Sequence, residues 1–236
     1  MKRLTFVLFV WLSITASEAQ QSAFGSYPDI SIDHLHQLSA TEKNDTIKVR
    51  LLNNLAYGYS ILQLSDSILF YANQALDLSK KTRYPKGEFE SRKWQVIVMR
   101  QEGDFPNALN LALQNLRTAE EMKDTSILLL ALLGVGRTYN EMNDYLNQLK
   151  YTRRSQVLVN AKFINDEKEW KYNSVYYCWT AMADAFSNLR QYDSALYYLG
   201  LAYDYGKDLN NSLQLSITAN TLGKIYLDLE IGRAHV

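Results

Sequence analysis

Four stretches of the chain share one arrangement of apolar and polar positions: the looser LSDSILFYANQAL (64–76), then GDFPNALNLAL (103–113), NDYLNQLKYTR (143–153) and RQYDSALYYLG (190–200). Each has a turn residue, then an aromatic or polar position, then a run with helix-spaced apolar residues. A second helix is predicted upstream of each. Its small or apolar anchor lies twelve residues before the first small or apolar position of the helix that follows. The anchors are Ala56, Val96, Gly136 and Ala183, with a fifth at Gly223, at spacings of 40, 40, 47 and 40 residues. One helix pair cannot bury its apolar face alone, so the pattern predicts pairs that stack on one another. Only three prolines and ten glycines interrupt the chain, which favours long helices over a many-turned β fold.

These positions resemble the tetratricopeptide repeat (TPR), whose first helix (A) reads W-x2-L-G-x2-Y and whose second (B) reads A-x3-F-x2-A. Helix A is matched by Trp179, Met182, Ala183 and Phe186, by Leu132, Val135, Gly136 and Tyr139, and by Ala219, Leu222, Gly223 and Tyr226. Helix B is matched by Ala195, Leu199 and Ala202 and by Ile68, Ala72 and Ala75. Ala108 and Ala112 fit but Asn115 breaks the third position, and the third repeat is degenerate, with Gln148, Thr152 and Ser155. Small residues at these places let antiparallel helices approach closely. The resemblance covers about residues 46–229 and implies an all-α fold, an α-solenoid of antiparallel helix pairs in a right-handed superhelix.

The expected repeats lie near 46–84, 85–124, 125–165 and 166–208, with an incomplete fifth at 209–229, about four and a half in all. Residues 20–45 are expected to add a short capping helix. The 40-residue period exceeds the usual 34. Longer helices and linkers such as LSKKTRYPKGEFES (78–91) are expected to supply the excess, with Pro85 and Gly87 marking a turn. The 47-residue interval adds seven residues around KFINDEKEWKY (162–172), read as an extended, solvated helix or loop. Gly103 ends one helix, Asp104 caps the next and Pro106 lies in its first turn.

The two ends change the picture. MKRLTFVLFVWLSITASEAQQ has the parts of a secretory signal: Lys2 and Arg3, an apolar run from Leu4 to Ala16, and small Ser17 and Ala19 before a cut at Gln20. Residues 1–19 are therefore expected to be a signal peptide, since the run is short of the roughly 20 apolar residues a membrane span needs; the alternative is an uncleaved anchor. No other stretch reads as transmembrane. The mature chain is expected to be exported, to a periplasm or outside the cell. At the other end, EIGRAHV (230–236) breaks the helical pattern, and a codon rendering of it resembles a sequencing-library adapter that next supplies a stop. Residues 230–236 are expected to be a non-native tail on a truncated gene fragment.

Without Lys2, Arg3 and Glu18 the chain carries 23 basic and 24 acidic residues, and it has no basic cluster of the kind nucleic-acid binding requires. No nucleic-acid partner is expected. Cys178 is the only cysteine, so no intrachain disulfide forms; within a helix it reads as a buried, inert thiol. A phosphate loop, a G-x-S-x-G elbow, H-E-x-x-H and paired CxxC motifs are absent. Residues two apart on a helix do not share a face, so His34 and His36 read as solvent-exposed rather than as metal ligands. NDEKEW (165–170) reads as a solvated helix start, and the tyrosines between 172 and 205 as packing within and between repeats rather than a sugar-stacking surface. No catalytic residue, metal or cofactor is expected.

In the family resembled, helix A lines the concave groove, three positions before, one after and four after the small anchor. Mapped here, these places give the binding candidates Asn53, Tyr57, Lys93, Arg100, Arg137, Asn140, Asp184 and Lys224, with Ser60, Ile97, Leu133, Thr180, Ser187, Asn220 and Leu227 in the same register. Lys93, Arg100 and Arg137 form a candidate basic stripe for a carboxylate, read against ordinary solvated helix surface. The family's carboxylate-clamp arrangement is not reproduced. The export signal, NDTIKVRLLNNLA, YANQALDLSKK and the 40-residue repeats together resemble exported repeat proteins of Bacteroidetes-type bacteria. In many of these the repeats are the sensor part of a membrane-bound histidine kinase or helix-turn-helix regulator. The resemblance implies a non-enzymatic scaffold for protein or peptide, the periplasmic sensing region of a truncated signalling protein. A freestanding secreted scaffold and a fragment of a sensor kinase lacking its catalytic region are the alternatives.

Overall fold

The computed structural model describes residues 31–162, 169–208 and 212–234. The signal segment at 1–19, most of NDEKEW and the last two residues lie outside the described residues. Those described form ten helices, with no strand among them: α1 (Ile32–Thr41), α2 (Asp45–Ile61), α3 (Ser65–Thr82), α4 (Pro85–Gln101), α5 (Phe105–Met122), α6 (Thr125–Glu141), α7 (Tyr145–Lys162), α8 (Glu169–Asn188), α9 (Tyr192–Asp208) and α10 (Ser212–Ala234). The chain divides into two compact units, Met1–Gly134 and Val135–Val236, with the boundary inside α6. In the first, α1 through α5 pack in chain order and α2 also meets α4; in the second, α7 through α10 pack in order and α8 meets α10. The A helices of neighbouring repeats therefore lie side by side within each unit.

The 40-residue period comes from helix length. From α2 to α7, helices of 17 and 18 residues alternate, joined by turns of three or two residues. Left-handed residues fall at Gln63, Arg83, Gly103, Lys123 and Asn143, a step of 20, and again at Arg190. At Gln63, Gly103, Asn143 and Arg190 the amide bonds the carbonyl three residues back and the next amide reaches five back (Asp104 N to Met99 O, 2.8 Å), which satisfies the last carbonyls of helix A. Side-chain caps start the next helices at Asn44, Asp104, Asp124 and Asp144.

The supposed linker at 78–91 is a correction to the sequence reading. Helix α3 runs to Thr82, Arg83 turns left-handed, and Pro85 opens α4 at a position where its missing N–H costs nothing. Gly87 is buried inside α4. A Cβ there would meet the Ser79 hydroxyl, the Tyr84 ring at 2.6 Å and Val49 Cγ1 at 2.7 Å, so this glycine permits close helix approach rather than a turn.

All twelve helix-B positions named from the sequence are buried, including the four that break the motif. Asn115 donates its amide to Phe89 O at 2.8 Å. Gln148 Nε2 donates to Ala181 O, and the Thr152 and Ser155 hydroxyls bond carbonyls four residues back in their own helix. The polar side chains keep the small-residue geometry by finding backbone acceptors. Among the A anchors, Ala56 and Ala183 are fully buried, and a Cβ on Gly136 would press Thr152 Cγ2 at 3.2 Å. Gly223 is exposed, and a Cβ there would meet no atom within 4 Å. Helix α10 continues past Leu229 to Ala234; Gly232 lies inside it, and one glycine costs a helix only about 1 kcal/mol.

Candidate binding face on the A helices

In the first unit the A-helix face belongs to α2 and α4. Asn53 is buried, its amide donating to Val49 O at 3.1 Å and its Oδ1 lying 3.3 Å from the Ser91 hydroxyl. It joins α2 to α4, a correction to its place among the groove candidates: three residues before Ala56 is a helix-facing position here. Tyr57 and Trp94 lie ring to ring at 5.9 Å, and Lys93 Nζ sits 4.4 Å from the Trp94 ring centroid. One turn from Lys93, the Glu90 carboxyl is buried, and desolvation raises its pKa against the opposing pull of Lys93, Lys86 and Arg50. Burial likewise lowers the Lys93 ammonium, with Glu90 opposing. Arg100 stands half-buried in the last turn of α4.

In the second unit the same register builds a side-chain relay across three successive A helices. Asn140 on α6 donates Nδ2 to Asp184 Oδ2 on α8 at 3.1 Å. Asn188, one turn further along α8, donates Nδ2 to Asn140 Oδ1 at 3.1 Å. Lys224 on α10 donates Nζ to Asn188 Oδ1 at 3.4 Å. Burial raises the Asp184 carboxyl, opposed by Lys224, the Asn140 hydrogen bond and Arg137. Arg137 is mostly exposed, with Nε 3.6 Å from Glu141 Oε1.

Three of the four relay members were candidates from the sequence. Asn188 was missed because the groove register was counted as fixed offsets from Ala183; its place four residues after Asp184, on the same helix face, was the available signal. Lys93 and Arg100 fall in the first unit and Arg137 in the second, where Arg137 acts on Asp184.

The remaining candidates have structural accounts. His34 is exposed, while His36 Nε2 lies 3.0 Å from the Tyr59 hydroxyl and edge-on to Tyr71, so the pair diverges. Among the described residues no three His, Cys, Asp or Glu side chains are grouped to hold a metal. Cys178 is fully buried, and desolvation pushes its thiol up to about 12, far from thiolate chemistry at neutral pH. Tyr176 bonds Thr218, Tyr198 stacks on Phe186 and Tyr205 meets Trp179 edge-on, whereas Tyr197 and Tyr203 stand exposed. Among the described residues no helix is long and apolar enough to cross a membrane.

No protein-family profile matches the chain, and no curated protein matches it. Solved structures do. A Rap protein complexed with Competence and Sporulation Factor superposes with a TM-score of 0.68 at 16% identity, over 84% of this chain and 58% of that one. A signal transduction ATPase with a tetratricopeptide repeat sensor, from Pyrococcus horikoshii, gives 0.66 at 19% identity, over 83% and 29%. The TPR-like repeats of a putative kinesin light chain from Podospora anserina give 0.56 at 15% identity, over 86% and 97%. The chain thus spans little more than half of the first and under a third of the second. At these identities the likeness concerns the fold, which is an all-α, TPR-like solenoid of sequentially packed helices.

Proposed function

We propose that the chain is a non-catalytic scaffold that binds a peptide or protein segment, with the A-helix face of the second unit as its site. The Asn140–Asp184–Asn188–Lys224 relay carries this reading. A carboxamide offers both a donor and an acceptor, as a peptide unit does, so Asn140 and Asn188 suit an extended backbone. Lys224 and Arg137 offer cations to a ligand carboxylate, and Asp184 disfavours a second carboxylate beside it. The similar Rap structure is a complex with Competence and Sporulation Factor, which supports a ligand-holding role for this fold. Fluorescence anisotropy with a panel of labelled acidic peptides tests the reading. Asn140→Ala combined with Lys224→Ala is expected to weaken binding about tenfold or more, or about 1.4 kcal/mol, with the helical circular dichroism retained. Arg137→Ala alone is expected to weaken capture by a smaller factor. Binding unchanged in both variants would remove the site.

The cellular reading rests on the N-terminal segment and the repeat resemblance: an exported protein, the periplasmic sensing region of a signalling protein whose kinase or helix-turn-helix output lies downstream. The sensor named in the similar ATPase is consistent with this. A freestanding secreted scaffold and a sensor-kinase fragment remain the rivals. Residues 1–45 fused to a leaderless alkaline phosphatase should export active enzyme; an inactive, cell-retained fusion would end the export reading. Sequencing the native locus beyond codon 229 separates a kinase core, a helix-turn-helix domain and an early stop. It also tests the expectation that EIGRAHV is foreign.

A further inference from the structure

Helix α7 differs from α3 and α9 in what its outer face carries at either end. The face it buries is mixed, with Gln148, Thr152 and Ser155 almost fully inaccessible beside Leu149 and Val159. The face it exposes begins at Leu146, 72% accessible, and ends at Val157, 66% accessible, with Lys150, Arg153 and Arg154 exposed between them. Where α7 carries these two aliphatics, the equivalent outer positions of α3 are Asp66 and Asp77 and those of α9 are Asp193 and Asp204, all exposed. No acidic residue occurs anywhere between Tyr145 and Lys162.

Residues 146, 150, 153 and 157 follow the three-four spacing of one helical stripe, about 16 Å long at the α-helical rise. Each cation stands beside an aromatic ring, two of them beside Tyr151 of the same helix and one beside Phe186 of α8. Lys150 lies 5.8 Å from the Tyr151 ring centroid, Arg153 5.9 Å from that of Phe186 and Arg154 6.0 Å from that of Tyr151. A single exposed leucine means little. Aliphatics at both ends of a one-sign stripe mean more, because Leu146 and Val157 frame the cations on one exposed face.

We infer that the outer face of α7 docks an acidic amphipathic helix of a protein partner, with central carboxylates on Lys150, Arg153 and Arg154 and an aliphatic side chain against Leu146 and Val157 at either end. Helices α3 and α9 would repel the same ligand through their aspartates, and α5, with exposed Pro106 and Arg117 at these places, lacks the aliphatic pair. An anionic membrane fits less well, because interfacial binding needs a continuous apolar face and here cations separate the two aliphatics. The surface is distinct from the A-helix relay.

The probe is a fluorescein-labelled helical peptide of about five turns, with glutamates flanked by leucines, compared with its glutamine counterpart. The intact chain is expected to bind the glutamate peptide about tenfold more tightly at low salt, the advantage shrinking as salt screens it. Arg153→Glu with Arg154→Glu should abolish that preference with unchanged circular dichroism, and Leu146→Ser with Val157→Ser should weaken both peptides. The Asn140→Ala, Lys224→Ala variant should bind as the parent does, which separates this surface from the relay. Equal affinity for the two peptides, no binding of either, or full retention by the charge-reversed variant would overturn the inference. Co-sedimentation with phosphatidylglycerol vesicles in place of peptide binding would also overturn it, in favour of a membrane surface.

Discussion

The A-helix faces of the two units occupy the same register and have been put to different uses. In the first, Asn53 is spent on the α2–α4 contact, and Tyr57, Trp94 and Lys93 close over one another above a buried Glu90. In the second, Asn140, Asp184, Asn188 and Lys224 bond one another across α6, α8 and α10 with their outer atoms within reach of solvent. A repeat motif fixes where a side chain stands. Whether that side chain is packing or surface depends on what the neighbouring helix offers it. Asn53 meets the Ser91 hydroxyl in a buried contact; Asp184 meets the Asn140 amide in a part-buried one that leaves polar atoms facing outward.

The sharpest way to break this contrast is to add one methyl group in each unit. Gly87→Ala should cost about 1–3 kcal/mol through overpacking against Tyr84 and Val49, lowering the thermal midpoint by several degrees. Gly223→Ala, in open space on a helix, should instead stabilise by about 0.5–1 kcal/mol. Differential scanning calorimetry reads both, and equal signs would show that the two glycines do the same job.

Asparagine truncation comes next. Asn53→Ala should destabilise by about 1–2 kcal/mol, since it removes hydrogen bonds made in a buried contact. Asn188→Ala should cost under about 1 kcal/mol in urea denaturation while weakening peptide capture. A larger stability loss at Asn188 than at Asn53 would reverse the division between packing and surface.

One buried and one half-buried carboxyl offer a pH comparison with one sign. Both Glu90 and Asp184 have pKa values raised by burial, so the folded state holds their protons more tightly than the unfolded chain does. Their contribution to stability is therefore full below the unfolded carboxyl range and is lost as pH rises through the raised values. Glu90→Gln and Asp184→Asn should each raise the urea midpoint at pH 7 and lose that gain at acid pH. The gain should be larger for Glu90, whose neighbours are drier. A substitution that stabilises at acid pH and not at neutral pH would contradict the assigned cause.

The smallest effect concerns the turns. Lys123→Gly should stabilise by roughly 0.5–1 kcal/mol by relieving a left-handed lysine, and Gly103→Ala should destabilise by about 1 kcal/mol. Chemical denaturation at fixed pH checks the pair.

The repeat could be read from Ala56, Ala183 and Ala195 because a small side chain at a helix crossing leaves a periodic gap in an otherwise bulky pattern. The same logic located the buried positions even at Gln148, Thr152 and Ser155, where the residue type pointed away from burial. It failed at Gly87, which marks turns in most sequences but here serves close approach inside α4, while Pro85 follows the Arg83–Tyr84 turn and opens the next helix. The relay was partly legible. Asn140, Asp184 and Lys224 followed from register, but their hydrogen bonds depend on the interhelical distance, and Asn188 entered only because Asn140 reaches it. The outward face of α7 was hidden for a simpler reason: Gln148, Thr152 and Ser155 read as a degenerate repeat and drew attention from Leu146 and Val157 on the other side.

The 20-residue step of left-handed turns makes the chain a ruler with interchangeable segments. Gln63 and Gly103 occupy the same place in successive repeats, as do Arg83 and Lys123. Removing residues 64–103 would join one helix-A turn to the next with the phase of every later helix intact, whereas removing 20 would exchange the roles of A and B and bury the wrong faces. Growth or loss in whole repeats thus keeps the helices in phase, while cross-repeat pairs such as Asn53–Ser91 and Tyr57–Trp94 are what each new neighbour would have to supply again.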